Sequence, residues 1–417
     1  MGKILVKNID KIVSGDLKKG ILPGDALLIE NGIFTGIGRE STLNSRGVES
    51  VIDARGMVVI PGLIDTHAHA WLEDYYPGLQ IVDWMKATLL AGVTTLISAR
   101  TQLMGEKAEP PFAKAMAILG QSKWAASKPG NYLKVHGGTL SLVENLTESD
   151  IKEVAELGVH LVSEIGVGGT SDLAKMKQYI EWCKKYGLIV SIHFGGRMVP
   201  GSFAPSAEAI IDMNPDFVAH INGGPTAPAL EDAKKLVEGS QCYIECIFNN
   251  GNIKMGYEVA NMLIKRGELH RMIFGTDSPT GGGWMPLGIH NLIAHLASFN
   301  GVPAQDAIAC ATGNSADCFK LNTGKIEVGR EADLVVIDAP LDSAGKDALE
   351  AIEIGDLPGQ AMVMVDGHLA ALWGKATRRP RQQVLINGIE YKYETFQQFM
   401  QGEQPRLDLL LQYPKGS

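Results

Sequence analysis

Eight short apolar segments recur along the middle of the chain, and stretches long enough to form helices separate them. The intervening stretches, among them residues 171–186 and 229–238, have the spacing of amphipathic helices. Strands that are apolar throughout and alternate with helices indicate a parallel sheet, so this pattern predicts a closed (β/α)8 barrel of the TIM type, in the α/β class. The segments are residues 63–67, 93–98, 132–136, 159–164, 188–193, 217–220, 242–247 and 272–275.

Both ends of the chain show a different pattern, in which β-forming residues alternate with turn residues. The pattern covers residues 4–9, 26–37 and 51–60 near the N-terminus, and residues 332–337, 361–367 and 384–386 near the C-terminus. Neither end has enough apolar surface to fold alone. We therefore expect the two termini to assemble one small β-sandwich domain.

These patterns divide the chain into four predicted parts. Residues 1–61 form the first part of the β-sandwich, residues 62–324 the barrel, and residues 325–386 the second part of the β-sandwich. Residues 387–417 form a C-terminal extension, which predicts either a docking helix or an oligomer contact. Its aromatic residues are Tyr391, Tyr393, Phe396 and Phe399.

Length and composition are those of a soluble enzyme. A chain of 417 residues is long for one compact core, which supports two domains. The net charge of -9 argues against nucleic acid or an anionic membrane as a partner, because both would repel the protein. No run approaches the roughly 18 apolar residues that a membrane span needs, and no secretory signal stands at the N-terminus.

The five cysteines form no close CxxC pair, and at least one of them must be unpaired. This usage is typical of a reducing compartment, where cysteine acts as a small buried apolar residue. We therefore expect a cytoplasmic protein whose partner is a small molecule.

Polar residues stand where the predicted barrel strands end. The first segment ends in His67 and continues to His69, and later segments end in His136, Glu164, His193 and His220 or run into Asp277. Barrel enzymes place their catalytic groups at the C-terminal ends of the strands. Imidazoles and carboxylates in this number are what a transition-metal site needs.

His67 and His69 lie two positions apart, so on a strand both side chains point to the same face and can bind one ion. Alone, the pair could equally be two exposed histidines in a turn. Asp277 has two interpretations as well, because an Asp before Ser-Pro can cap a helix or can act as a general base that faces a metal. The further ligands at other strand ends favour the metal site in both cases.

Glu164 is an acid at the end of an apolar strand, where an unpaired carboxylate is costly. It can form an ion pair with an arginine, or it can bridge two metals with one oxygen on each. His193 and His220 would complete the second ion. Each of them alone could be a hydrogen-bonded core histidine, but both end strands beside glycine-rich turns.

Two motifs resemble those of the amidohydrolase superfamily. Residues 61–69, Pro-Gly-Leu-Ile-Asp-Thr-His-Ala-His, are similar to the motif that opens the family's barrel, and residues 324–336 resemble its return into the β-sandwich. Within the superfamily, residues 134–138, 219–227 and 311–315 resemble a branch that hydrolyses a cyclic enamide. The resemblance covers nearly the whole chain up to about residue 385.

The resemblance implies a binuclear metal centre that Glu164 bridges. It places His67, His69 and Asp277 on one metal and His193 and His220 on the other, with zinc together with iron or a second zinc as cofactors. It also implies a homotetramer. The implied reaction is attack of a metal-bridged hydroxide on a cyclic amide, with Asp277 as base, converting tetrahydro-6-oxonicotinate or a related acid to 2-formylglutarate and ammonia.

The residues that contact the substrate are less clearly marked. Arg100 and Arg197 follow the second and fifth strands, where each can bind a substrate carboxylate or be a solvated loop cation. His136 can hydrogen-bond the substrate or support the site from behind. Glu245, in the seventh segment, is expected to form a structural ion pair.

Two other functions remain open at this point. A mononuclear deaminase of the same superfamily typically has a glutamate three residues after the fifth-strand histidine, where this chain has Gly196, and it needs no bridging acid. A non-catalytic scaffold would have lost metal ligands, whereas all six expected ligands are present here.

Overall fold

The structure is a computed structural model. It describes residues 2–70, 81–100, 109–131, 133–166, 169–197, 203–223, 226–279, 283, 285–372 and 377–391. The chain divides into two compact units. The first consists of Met1–Leu63, Lys86–Thr94 and Ile293–Ser417, and the second of Ile64–Met85 and Thr95–Leu292. The domain boundaries inferred from the sequence stay a prediction.

The N-terminal part of the chain is a series of short strands. They are β1 (Lys3–Lys7), β2 (Lys11–Val13), β3 (Ile21–Leu22), β4 (Ala26–Glu30), β5 (Ile33–Gly38), β6 (Val48–Asp53) and β7 (Val58–Pro61).

The middle of the chain alternates strands with helices. The strands are β8 (Leu63–Ala68), β9 (Val93–Ser98), β10 (Lys134–His136), β11 (Thr139–Leu140), β12 (Leu161–Val162), β13 (Ser191–His193), β14 (Phe217–Ala219), β15 (Tyr243–Ile247) and β16 (Met272–Gly275). The helices are α1 (Ile81–Leu90), α2 (Pro110–Asn131), α3 (Glu148–Glu156), α4 (Leu173–Lys185), α5 (Ala207–Met213), α6 (Leu230–Gly239), α7 (Ile253–Lys265) and α8 (Gly288–Asn300).

The C-terminal part returns to strands after two short helices. Its helices are α9 (Ala304–Cys310), α10 (Gly313–Phe319) and α11 (Ala348–Glu353), and its strands are β17 (Leu334–Asp338), β18 (Gly359–Val365), β19 (His368–Leu372) and β20 (Leu385–Ile386).

The terminal strands form two sheets, and each sheet takes strands from both ends of the chain. One sheet has the order β20-β6-β1-β4-β5, and the other has the order β19-β18-β17-β7-β2-β3. Alternate residues of β1, among them Ile4 and Val6, share one apolar core with Val59 of β7 and with Leu334 and Val336 of β17. The predicted β-sandwich built from both termini is confirmed.

The middle strands form the predicted (β/α)8 barrel. Parallel pairing runs through β10-β9-β8, β11-β12 and β13-β14-β15-β16, and single parallel bridges link Leu161 to Ile189 and Ile165 to Ile192. A further bridge between Ala68 and Ser278 joins the ends of the first and last strands and closes the barrel. The carboxyl ends of all these strands therefore face one mouth.

Two predicted strands differ in detail from those of the structure. The third corresponds to β10, and a further short strand that was not predicted, β11, follows it after Gly137 and Gly138. Gly138 adopts a φ of +81° that other residues avoid. The fourth predicted segment corresponds to β12, which is only two residues long. Beyond Val162 the chain pairs with the next strand only through the single bridge at Ile165.

The helices begin and end largely where the sequence predicts them. The prediction for residues 171–186 corresponds to α4, whose N-cap Asp172 accepts hydrogen bonds from the backbone N–H groups of Ala174 and Lys175. Within the described residues, no helix combines the length and the apolar character needed to cross a membrane. Of the predicted C-terminal extension, only residues 387–391 are described, and Tyr393, Phe396 and Phe399 lie outside the described residues.

A buried arginine links the segments that precede two barrel strands, β15 and β16. Arg271, 2% exposed, precedes β16 and donates hydrogen bonds to the carbonyl oxygens of Cys242 at 2.9 Å and Val237 at 3.0 Å. It also pairs with Glu268 at 2.6 Å. One guanidinium thus satisfies carbonyl groups at the end of α6 and the start of β15.

We expect Arg271→Met to lower the free energy of unfolding by about 3 kcal/mol, because it leaves two buried carbonyl groups without their donor. Arg266→Met is the matched control, because the exposed Arg266 binds the same Glu268 at 3.0 Å. The control should cost less than about 1 kcal/mol. Urea unfolding of both variants tests this, and equal effects would contradict it.

Candidate metal centre

Six ionisable side chains meet at the carboxyl ends of the barrel strands. His67 lies in β8 and His69 just beyond it, His193 ends β13, and His220 follows β14. Glu164 follows β12 by two residues, and Asp277 follows β16 by two. All six are at most 5% exposed, although they come from strands far apart in sequence.

The first group of ligands consists of His67, His69 and Asp277, whose donor atoms all lie within 4.8 Å of one another. The Oδ1 atom of Asp277 is 2.8 Å from Nε2 of His69 and 3.7 Å from Nε2 of His67. The two histidine rings are 5.3 Å apart. Their spacing in sequence therefore does place both rings on the same side of the strand.

The second group surrounds Glu164. Its Oε1 atom is 3.0 Å from Nδ1 of His193 and in close contact with Nε2 of His220, while its Oε2 atom is 3.9 Å from Nε2 of His67. Nδ1 of His193 and Nε2 of His220 are 3.2 Å apart. The carboxylate thus directs one oxygen to each group of histidines.

A divalent cation fits this arrangement. Among the described residues, the buried Nε2 atom of His67 has no hydrogen-bond partner, and carboxylate oxygens of Glu164 and Asp277 flank it at 3.9 and 3.7 Å. A buried polar atom without a partner is costly, and an imidazole nitrogen facing two carboxylates is a good ligand for zinc or iron. The donor set could therefore hold a transition metal.

Hydrogen bonds on the far side of the rings orient the imidazoles. Nε2 of His193 donates to the carbonyl oxygen of Gly196 at 2.7 Å, and Nδ1 of His220 donates to that of Phe194 at 3.2 Å. A carbonyl oxygen only accepts, so these contacts require the proton on the outer nitrogen. When the two imidazoles are neutral, the inner nitrogens that face Glu164 would carry the lone pairs that a metal needs.

The buried carboxylates of the centre stay ionised only because groups of opposite charge lie close by, since burial alone favours the neutral form. Burial opposes ionisation of Glu164, but His220 and His193 hold its pKa well below the ordinary value. The pKa of Asp277 is lowered in the same way, against the effect of burial, by its hydrogen bond to His69 and by the charge of His67. Both carboxylates are therefore ionised at neutral pH.

The histidines respond differently to the same surroundings. Burial lowers the pKa of His67, but the charges of Glu245, Asp277 and Glu164 outweigh it and raise that pKa to about 10. For His69, burial dominates, and its pKa is lowered despite the hydrogen bond to Asp277. Without a metal, a proton on His67 therefore provides the positive charge that the carboxylates need.

Asp65 holds the main chain next to Asp277 in place through hydrogen bonds. It is 1% exposed and accepts hydrogen bonds from the backbone N–H of Thr276 at 2.9 Å and from the Thr276 hydroxyl at 2.6 Å. It also accepts from the backbone N–H of His67 at 3.1 Å, and burial raises its pKa to about 7. One side chain therefore links the strands that carry His67 and Asp277.

The predicted substrate-binding residues do not all lie together. Arg100 is 3% exposed and lines a small pocket with Ser141, Ser163, Glu164 and Thr170. Its Nε and Nη1 atoms have no hydrogen-bond partner in the described part of the chain. A buried guanidinium of this kind is a binding group for an anion.

The other two candidates are more exposed. His136 ends β10, is partly exposed, and packs edge-on against His160 with 5.6 Å between ring centres. Arg197 is exposed and immediately precedes residues outside the described ranges. Substrate binding by these two residues stays a prediction.

Glu245 forms an ion pair with the ring of His67, as a structural ion pair was expected for it, but the partner belongs to the six clustered side chains. It also accepts hydrogen bonds from the hydroxyl of Thr66 and the backbone N–H of His220. A signal for buried partners was available, because Glu245 is an acid in the interior of an apolar strand. Such a residue needs buried donors close by.

Comparison with known proteins gives the same picture. A model of the amidohydrolase family matches residues 58–370. The enamidase of Eubacterium barkeri is 39% identical over 368 residues, which cover 88% of this chain and 95% of that protein. The 5'-deoxyadenosine deaminase of Methanosarcina acetivorans is 24% identical over 408 residues, covering 81% of this chain and 85% of that protein.

Solved structures are similar to the chain as well. The crystal structure of enamidase matches with a TM-score of 0.87 at 37% identity, over 92% of this chain and all of that chain. The D-hydantoinase of a Thermus species matches with a TM-score of 0.62 at 19% identity, over 90% of this chain and 99% of that chain. At that lower identity the likeness shows the fold alone.

We expect the protein to contain divalent transition metal and to lose it to a strong chelator. Removal should lower the thermal midpoint, because a ligand present at about 1,000 times its Kd stabilises a protein by about 4 kcal/mol. Added zinc should restore the midpoint. Metal analysis and thermal unfolding before and after chelation test this, and a metal-free protein whose midpoint ignores zinc would contradict it.

Proposed function

Because the chain belongs to the amidohydrolase family, we propose that it hydrolyses the C–N bond of a cyclic amide or enamide with two divalent cations. The observation that supports this most directly is the position of Glu164. One of its oxygens faces His193 and His220, and the other faces His67. A carboxylate between two groups of ligands is suited to bridging two metals.

The proposed ligands follow from these groups. His67, His69 and Asp277 would hold one cation, His193 and His220 the other, and Glu164 both. Imidazole and carboxylate ligands suit zinc and iron, so we propose zinc with iron or with a second zinc. Bound in this way, the cations would lower the pKa of water toward neutrality and polarise an amide carbonyl.

Asp277 is the proposed general base. Its carboxylate is ionised and lies at the mouth of the barrel, so it can take a proton from the water that attacks the carbonyl carbon. The C–O bond forms, and Asp277 then donates the same proton to the ring nitrogen as the C–N bond breaks. An enamide would release an enamine, which tautomerises and hydrolyses to an aldehyde and ammonia.

The proposed substrate is a small cyclic amide that carries a carboxylate, such as tetrahydro-6-oxonicotinate, with 2-formylglutarate and ammonia as products. Arg100 lines a pocket beside Glu164, and its Nε and Nη1 atoms have no hydrogen-bond partner among the described residues. Arg100 is therefore the proposed partner of the carboxylate. His136 and Arg197 remain candidates for further contacts with the substrate.

A mononuclear deaminase is the second candidate, and a deaminase does occur among the similar proteins. The packing at Gly196 argues against it, because a Cβ atom at this position would lie 1.9 Å from the hydroxyl of Thr226. A glutamate at position 196, typical of those deaminases, would therefore require the side chain of Thr226 to move. A non-catalytic scaffold would not need six buried ligands at one place.

The setting of the enzyme is also a proposal. The described cysteines are all free and buried, which is typical of a reducing compartment, so we propose a cytoplasmic location. The similarity to enamidase leads us to propose a homotetramer. Light scattering of the purified protein measures its oligomeric state directly.

Turnover of a panel of cyclic amides by the metal-reconstituted protein tests the proposed function. Wild type should release ammonia from tetrahydro-6-oxonicotinate or a close relative, and Asp277→Asn should lose at least about 100-fold in kcat while it retains most of its metal. Failure to turn over any lactam or enamide would rule out the reaction. Full activity of the variant would rule out Asp277 as base.

The carboxylate specificity can be tested through Arg100. Arg100→Met should lower kcat/KM for the acid by about 10- to 100-fold, because a hydrogen bond to a charged group contributes about 1.5–3 kcal/mol. The same variant should lose little on the neutral carboxamide analogue of the substrate. Arg266→Met controls for loss of a distant charge, and an equal loss on both substrates would contradict the proposed contact.

A further inference from the structure

Glu245 is a buried carboxylate that the proposed reaction does not use. It lies in the middle of β15 and is completely buried. Its Oε2 atom is 2.7 Å from Nδ1 of His67 and accepts a hydrogen bond from the backbone N–H of His220 at 3.1 Å. Its Oε1 atom accepts the hydroxyl proton of Thr66 at 2.5 Å. A buried carboxylate needs hydrogen-bond donors of this kind, and the same hydrogen bonds fix the positions of Thr66, His67 and His220.

The contact with His67 determines which nitrogen faces the metal centre. Glu245 accepts a hydrogen bond from Nδ1–H, so the inner Nε2 atom is the one directed toward Glu164 and Asp277. A carboxylate behind a ligating imidazole also increases its basicity and fixes the orientation of the ring. His67 is the residue that lies close to both groups of ligands.

The contact with His220 acts on the main chain. His220 has a φ of +35°, which residues other than glycine and asparagine rarely adopt. The hydrogen bond from its backbone N–H to Glu245 helps to hold that conformation, which directs the ring toward Glu164. The same carboxylate oxygen thus supports a residue of the first group and a residue of the second.

A glycine on the neighbouring strand makes this contact possible. A Cβ atom at Gly275 of β16 would lie 2.5 Å from Cβ of His67 and 3.1 Å from Oε1 of Glu245. Any larger residue would push the imidazole and the carboxylate apart. The close approach of His67 and Glu245 therefore depends on residues of three strands, β8, β15 and β16.

From this geometry we infer that Glu245 is a positioning residue that orients His67 and His220 together and so sets the metal affinity of both groups of ligands. The inference rests on the proposed function only in that these histidines bind metal. Glu245 belongs to neither group of candidate metal ligands among the described residues. Its oxygens are occupied by Thr66, His67 and His220, which leaves it to act through them.

Cobalt(II) binding to the metal-free protein tests the inference. The Kd is measured by competition with a chelator, and the visible spectrum of the cobalt protein reports ligand geometry. Glu245→Ala should weaken cobalt binding by about 10- to 100-fold and alter the spectrum. Glu245→Gln, which can still accept from Nδ1 of His67 and from the backbone of His220, should recover most of the affinity.

Cys246→Ala is the matched control, because Cys246 is the adjacent buried residue of β15 and makes none of these contacts. Its Kd should stay within about threefold of wild type. The thermal midpoint of each metal-free variant separates folding from binding, since a purely structural role would lower the midpoint and leave the Kd unchanged.

Two results would overturn the inference. One is a Kd for Glu245→Ala equal to that of wild type, and the other is a Glu245→Gln variant that is folded yet binds as weakly as Glu245→Ala. A wild-type protein that binds no cobalt would instead contradict the proposed function. The two failures are therefore distinguishable in the same titration.

Discussion

Negative charge buried at the mouth of the barrel is the constraint on which the centre depends. Glu164, Asp277 and Glu245 are at most 5% exposed, so water cannot stabilise their ionised forms. Imidazole rings stabilise these carboxylates instead, at hydrogen-bond and ion-pair distances. Because metal ligands must be deprotonated, the same pairs would exchange imidazole protons for cations when metal binds, and protons would be released.

Two residues of the centre adopt backbone conformations that cost free energy. His220 and Asp277 both have positive φ values, of 35° and 55°, and each such residue costs about 1–3 kcal/mol. Hydrogen bonds that the backbone N–H groups donate to Glu245 and Asp65 hold the main chain at or next to these positions. Strain is thus confined to the turns after β14 and β16, while the strands behind them stay regular.

The sequence was sufficient for the barrel, for the β-sandwich and for the six clustered side chains, because each has a local signal. An acid or histidine at the end of an apolar strand shows where it will lie once the barrel closes. Glu245 gave no such indication of its partner, since His67 is 178 positions away in sequence. The orientation of Arg100 depends on how its neighbours pack, and a single sequence does not contain that information.

The bridge between Ala68 and Ser278 has a consequence for biosynthesis. His69 and Asp277 are 208 positions apart, yet they form one group of ligands. The ribosome must therefore release the last barrel strand before that group exists at all. In the proposed site, all three residues can bind the ion only after Asp277 has left the ribosome, so the growing chain cannot bind metal in this way while it holds the first barrel strand alone.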